Sequence, residues 1–216
     1  MRRLGNTVAA TVTLTALCAG GWLLHNGTAT HAPPQPTAAE AGTGPGGPSG
    51  PGGPGGPRSA SARGLAPSVP ERIRIASIRV DAPLTGLGLT PTGTLEVPPA
   101  RKKNLAGWYE AGTSPGETGT AIVAGHVDNA DGPAVFFSLG ALKKGAAIEV
   151  DRRDGTTAVF TVDAVEVYRV SAFPDETVYG AAPRPELRVI TCGGTYSRAT
   201  GYQSNVVVFA HLTGVR

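Results

Sequence analysis

From residue 70 onward, polar and apolar positions alternate in short bursts. "RIRIASIRV", Arg72 to Val80, alternates polar and apolar residues at period two apart from the Ile75–Ala76 step, the pattern of a half-buried strand. "GTLEVPP" around Thr94, "GTAIVAGHV" from Gly119 to Val127 and "AAIEVD" from Ala146 to Asp151 predict further strands. So do "TTAVFTVDAVEVYRV" from Thr156 to Val170, "ELRVITC" from Glu186 to Cys192 and "SNVVVFAHL" from Ser204 to Leu212. Gly, Pro and Asp cluster between these runs, which is the turn punctuation of an all-β sandwich or barrel. One segment differs: "PAVFFSLGALKKG", Pro133 to Gly145, sets Phe136, Leu139 and Leu142 at helical spacing and predicts a short helix.

The first 68 residues have another texture. Arg2 and Arg3 precede Leu4 to Leu24, a stretch without any charge. At about 21 residues it has the length of a bilayer-crossing helix. No persuasive small-residue cleavage site follows, so residues 1–25 read as an uncleaved signal anchor rather than a removed leader. From Gly42 to Pro57 only Thr43 and Ser49 are neither Gly nor Pro, which leaves no side chains to bury. Residues 26–68 therefore read as a disordered, partly polyproline-like spacer, and residues 69–216 as one folded domain. The expected location is the cell membrane, single-pass, with the folded domain outside; a cleaved, secreted form is the less favoured alternative.

Charge narrows the function. Charged residues make up 16% of the chain and the net charge is +3. The basic residues are scattered and no Lys/Arg block is interleaved with aromatics, which argues against a nucleic-acid partner. Acidic residues are not clustered as a calcium loop requires, and no ligand set of metal spacing surrounds any His or Cys. No cofactor is implied.

The chemistry rests on two residues. Cys18 falls in the apolar segment, so Cys192 is unpaired in an exported domain, where thiols ordinarily form disulfides. An orphan thiol there is either a small buried hydrophobe or a reactive group. Of the four histidines, His25 and His31 lie outside the folded part, and His211 sits within the last strand. His126 ends a strand, as Cys192 does, with Gly125 allowing a close approach. A Cys and a His at strand ends suit a thiolate–imidazole pair, in which the imidazolium lowers the thiol pKa and then protonates a leaving amine.

"TAIVAGHVD", "FFSLGALKKGAAIEV", "VITCGG" and "NVVVFAHL", in that order, resemble a sortase, a cysteine transpeptidase of Gram-positive cell envelopes. Thr-Cys-Gly-Gly followed by Tyr-x-x-Asn-Val-Val-Val-Phe-Ala is most similar to the class F subgroup of actinobacteria. The resemblance implies a closed β-barrel of about eight strands with short helices. It implies that Cys192 attacks the Thr–Gly carbonyl of an LPXTG-like sorting signal and that His126 serves as general acid, then base. Thr191, beside the thiol, is expected to touch substrate or backbone. The implied partners are secreted proteins bearing such signals, a peptidoglycan-precursor or pilin amine as acceptor, and the plasma membrane.

One departure from the family pattern stands out. Sortases carry an arginine near the start of the final strand, and here that position holds Asn205. Loss of an oxyanion donor typically costs about 100- to 1,000-fold in rate, so another group is expected to compensate. Arg198, in "TYSRATG", is one candidate and Asn205 itself another. Gly193 and Gly194 suit a sharp turn with backbone donors beside the thiol. Asp128 either orients His126 or, more simply, forms an Asx turn. The rival readings are a surface-anchored β-barrel that only binds, and a murein L,D-transpeptidase, whose Ser-x-Gly-Cys signature "VITCGG" lacks.

Overall fold

The computed structural model describes residues 32–42 and 62–216. The expected membrane segment, residues 1–25, and most of the expected spacer lie outside these. No helix among the described residues is long and apolar enough to cross a membrane.

The alternating runs become β1 (Pro70–Ile75), β2 (Val80–Leu87), β4 (Gly119–Gly125), β7 (Ala147–Arg152), β8 (Thr157–Arg169), β9 (Pro185–Ser197) and β10 (Gly201–Val215). With β3 (Ala106–Tyr109) they close into an eight-stranded barrel in the order β1-β2-β3-β4-β9-β10-β8-β7. A small hairpin of β5 (Asp128–Asn129) and β6 (Gly132–Pro133) stands apart. The fold is thus an all-β closed barrel with few helical turns.

Strand alternation sorts the side chains into two layers. Val123 of β4, Leu187 and Val189 of β9, and Val206, Val208 and Leu212 of β10 fill the interior with Ile73, Phe136 and Phe160. Removing a ring from such a core, as in Phe160→Ala, costs about 3–5 kcal/mol. The opposite parity, Ile122, Ile190, Val207 and Phe209, forms a second apolar cluster on the outer face. The five-residue helix α1 (Asp175–Tyr179) belongs to that cluster through its buried Val178.

Several local expectations are corrected. Arg72 to Val80 is not one strand: a 3-10 turn at Ala76–Ile78 and a left-handed Arg79, φ 57°, fold it into two paired strands. "GTLEVPP" forms only an isolated bridge, Leu89 to Leu95. β3, four residues without alternation, and α1 carry no clear pattern. The expected helix at Pro133–Gly145 shrinks to a 3-10 turn, Leu139–Ala141. Phe136, Leu139 and Leu142 are all fully buried, and their spacing of three matches the three-residue repeat of a 3-10 turn better than 3.6.

Part of the expected spacer lies on the barrel. β7 pairs with β8 only as far as Thr161, leaving the next stretch of the β8 edge open. Residues 33–42 cover it. Val165 N–H donates to Glu40 O at 3.0 Å, and Gly42 N–H to Glu166 Oε1 at 2.8 Å. Glu40 Oε2 accepts the Lys144 amide at 2.8 Å, and Lys143 Nζ lies 3.3 Å from Oε1. Gly140 is required here, because a Cβ would sit 2.1 Å from Pro34 O. Residues 62–68 are likewise held, with Leu65 N–H donating to Gly116 O at 2.8 Å and Ser68 N–H to Ser114 Oγ at 3.1 Å.

Candidate active site

β4 and β9 run parallel, with Ala124 opposite Ile190. Two residues farther on, the same register leads to His126, just past the end of β4, and to Cys192 on β9. β10 lies on the other side of β9 and puts Asn205 directly opposite Cys192. Parity places all three with Ile122, Ile190 and Val207 on the outer face. Three residues distant in sequence thus meet because three adjacent strands share a face.

The layer beneath fixes their height. Thr191 points the other way, is buried, and donates its Oγ1 hydrogen to Gly125 O at 2.8 Å. It braces β9 against β4 below the site, so its contact is with backbone rather than the outer groove. Gly125 must lack a side chain, since a Cβ would lie 2.7 Å from both Val135 and Phe136. Gly193 is constrained in the same way by Val206 at 2.7 Å, and Gly194 takes a left-handed turn, φ 77°.

A loop holds the imidazole. Because β2 and β3 are parallel neighbours, no tight turn can join them, and the chain returns through residues 88–105. That return brings Pro98 O within 2.6 Å of His126 Nε2. A carbonyl only accepts, so Nε2 carries the hydrogen and Nδ1 is the basic nitrogen of the neutral ring. Asn129 Nδ2 to Ala100 O at 2.7 Å and Lys103 Nζ to Asp131 O at 2.7 Å tie the same two loops.

The thiol's electrostatics correct the expectation of a resting thiolate. Cys192 is free and exposed, yet the atoms crowding it cost hydration. That loss, and secondarily the Asp128 carboxylate, push its pKa above the ordinary cysteine value. The free protein therefore holds a protonated thiol at neutral pH. Asp128 neither orients His126 nor closes an Asx turn. It accepts a hydrogen bond from the Tyr202 hydroxyl, and the Asx turn belongs to Asn129, whose Oδ1 accepts Asp131 N–H at 2.9 Å.

Arg198 is not brought to the thiol. It is exposed in the turn joining β9 to β10, six positions past Cys192. The guanidinium buried on this face is instead Arg188, with Nη2 2.7 Å from Glu186 Oε2 and its carbon 4.4 Å above the Phe209 ring. Tyr202, Pro98 O and the Glu186–Arg188 pair were not singled out in the sequence. Only Tyr202 left a trace there, as the Tyr of Tyr-x-x-Asn.

A groove of about 670 Å³ opens farther along the same face, lined by Thr120 and Ile122 of β4, Leu95, Tyr109 and Tyr179. Ile122 lies four residues before His126, a strand rise of about 13 Å. Among the described residues no three His, Cys, Asp or Glu gather as a metal-ligand set.

A closed barrel of this architecture has known counterparts. Sortase A from Corynebacterium diphtheriae superposes with a TM-score of 0.53 and 21% identity, over 68% of this chain and 61% of that one. Sortase A from Listeria monocytogenes gives 0.50 and 16%, over 69% and 89%. Sortase C-1 from Actinomyces oris gives 0.50 and 20%, over 66% and 73%. The Corynebacterium chain is thus spanned for less than two thirds of its length, and at such identities the likeness is one of fold. No curated protein matches the sequence. The sequence profile of the sortase domain, however, matches residues 73–213, from β1 to the end of β10 and including both His126 and Cys192. On that match the chain belongs to the sortase family.

Proposed function

We propose that the protein is a sortase of the class F type, held in the plasma membrane by residues 1–25 with its barrel outside. In this reading it cleaves the Thr–Gly bond of an LPXTG-like sorting signal. What supports the proposal is the parallel β4–β9 register, which leads towards His126 on one strand and Cys192 on the other, with a groove along the same face. An extended peptide with its Thr carbonyl at Cys192 runs down that face, and four residues reach the groove. His126 takes the thiol proton and Sγ attacks the carbonyl carbon. The tetrahedral intermediate expels the glycine amine, which receives that proton. An acceptor amine, from a peptidoglycan precursor or a pilin, then attacks the thioester and restores the thiol. Asn205, opposite Cys192, offers an amide donor to the substrate. Arg198 at the turn tip and Thr191 beneath the sheet are given no chemical role.

Mass spectrometry of the full chain with an LPXTG-type peptide and a small amine tests this. The expected result is a thioacyl adduct on Cys192, absent in Cys192→Ala, together with transpeptidated peptide. No adduct across a panel of sorting peptides, with an iodoacetamide-inert thiol, would favour the reading that the barrel only binds.

A further inference from the structure

The Tyr202 hydroxyl hydrogen-bonds Asp128, and the bond joins β10 to the segment that follows His126. Tyr202 is on β10, the strand that holds Asn205 against Cys192, while Asp128 lies two residues beyond His126. The β9–β10 ladder slips between Tyr202 and Ser204, and such a bulge re-aims the side chains around it. The Tyr202 ring, half-buried, rests on Tyr196 with centroids 5.1 Å apart. Hence the phenol is fixed at its ring end and presents its hydroxyl to the loop that carries the histidine.

Resting on the acyl-transfer reading above, we propose that Tyr202 is a further catalytic residue, the neutral hydrogen-bond donor to the oxyanion formed at Cys192. Asp128 is its positioning residue in the free enzyme. The family's arginine position is occupied by Asn205, and Arg198 stands off at the turn tip, so no strand-borne cation reaches the thiol from β10. A neutral O–H fills that need without desolvating a charge. When Sγ bonds to the carbonyl carbon, the carbonyl π pair moves onto oxygen. The Tyr202 hydrogen turns from Asp128 to that oxygen without being transferred. As the C–N bond breaks, the electron pair returns, and the amine leaves with the proton held by His126. Burial first, and the adjoining Asp128 second, keep the phenol far above the ordinary tyrosine range, with the Cys192 charge adding to the effect. The group remains a donor at every working pH.

The test is Tyr202→Phe in the full chain, with three reagents. A sorting peptide and p-nitrophenyl acetate both acylate the thiol through an oxyanion, whereas iodoacetamide alkylates it without one. Acylation by both acyl donors should fall by about 100-fold or more, with alkylation unchanged. Wild-type acylation rates in Tyr202→Phe overturn the proposal. So does a parallel loss of alkylation, which would make Tyr202 a support for the thiol alone. If the peptide never acylates even the wild type but the ester does so in a Tyr202-dependent way, the sorting-signal reading fails and the donor stands. For Asp128→Asn, the alkylation profile should move to lower pH because the carboxylate no longer opposes the thiolate. An unmoved profile removes Asp128 from the proposal.

Discussion

The outer face of β4, β9 and β10 carries polar groups at both ends, and the ends are built in opposite ways. At the lower end Glu186 and Arg188 are each almost fully buried, and Arg184 Nε adds a second partner to Glu186 at 2.9 Å. His211, also buried, has Nδ1 2.8 Å from Asp163 Oδ1. At the upper end Cys192 is exposed, and His126 is oriented by a backbone carbonyl rather than a carboxylate. The lower end contains the more enzyme-like pair, a His oriented by an Asp, but among the described residues no Cys or Ser is hydrogen-bonded to it. Reactivity here follows not from the most ordered polar network but from groups that a substrate can reach. The lower network is buried, down to an Arg188 Nε left without a hydrogen-bond partner among the described residues, and has nothing to offer a substrate.

The largest expected effect comes from exchanging the histidines' fates. His126→Ala should lower transpeptidation by about 100- to 10,000-fold and leave the melting temperature close to wild type. His211→Ala should do the reverse, keeping activity while costing about 0.5–1.5 kcal/mol, because Asp163 loses the imidazole and keeps only Arg184 at 3.9 Å. Steady-state kinetics and thermal melts of both variants check this. A His211→Ala protein that is stable but inactive would erase the distinction between the two ends.

The lower end is next. Glu186→Ala leaves Arg188 buried over the Phe209 ring without its carboxylate, an uncompensated charge costing about 3–5 kcal/mol. Arg188→Met added to Glu186→Ala removes that charge and should recover most of the loss. Chemical denaturation of the two variants decides the matter. If the double variant is no better than the single, the pair contributes through Arg184 rather than through buried charge.

A smaller effect is expected at Glu40. The Lys144 amide chiefly, and Lys143 beside it, hold its carboxyl below the ordinary value of 4.5, against the opposing effect of lost hydration. A lowered folded-state pKa means that the stabilisation is complete above the unfolded value. It disappears as pH falls through the folded one. Glu166, which receives Gly42 N–H, is the other carboxylate at the contact. Protection of the Val165 amide against hydrogen exchange should therefore decline on acidification below about pH 4.5 in wild type. In Glu40→Gln it should be weaker throughout and less dependent on pH. Equal profiles would detach the segment's hold from Glu40 ionisation.

What could be read in advance follows the range of each interaction. Period-two alternation marks β8, β9 and β10 because each buries one face, and it misses β3, whose four residues show no alternation. His126 and Cys192 were legible because each is an unusual residue at the end of an apolar run. Residues 33–42 looked like linker because their contacts are mostly through backbone, and only Glu40 with its distant Lys143 and Lys144 marks them. The raised thiol pKa was not legible either, since it depends on crowding and on Asp128 arriving from another loop. Tyr202 stood in plain sight, but its partner Asp128 is 74 residues away, and no local pattern joins them.

The smallest effect separates charge from neutral donation at the upper end. The guanidinium groups at the start of β9, Arg188 on the strand and Arg184 just before it, lie at the lower end beside Glu186. Arg198 is the one arginine of the β9–β10 turn, and it is exposed there. Arg198→Ala should change stability by less than about 0.5 kcal/mol and leave kcat/KM for a sorting peptide unchanged. A tenfold or greater loss in kcat alone would bring the turn over the thiol in the substrate complex and restore a cation to the oxyanion. A silent Arg198, beside an acylation defect in Tyr202→Phe, would mean that this barrel runs its acyl transfer on neutral donors. The contrast would then be complete: buried guanidinium–carboxylate pairs at the end that holds the fold, and neutral hydrogen-bond donors at the end that does the chemistry.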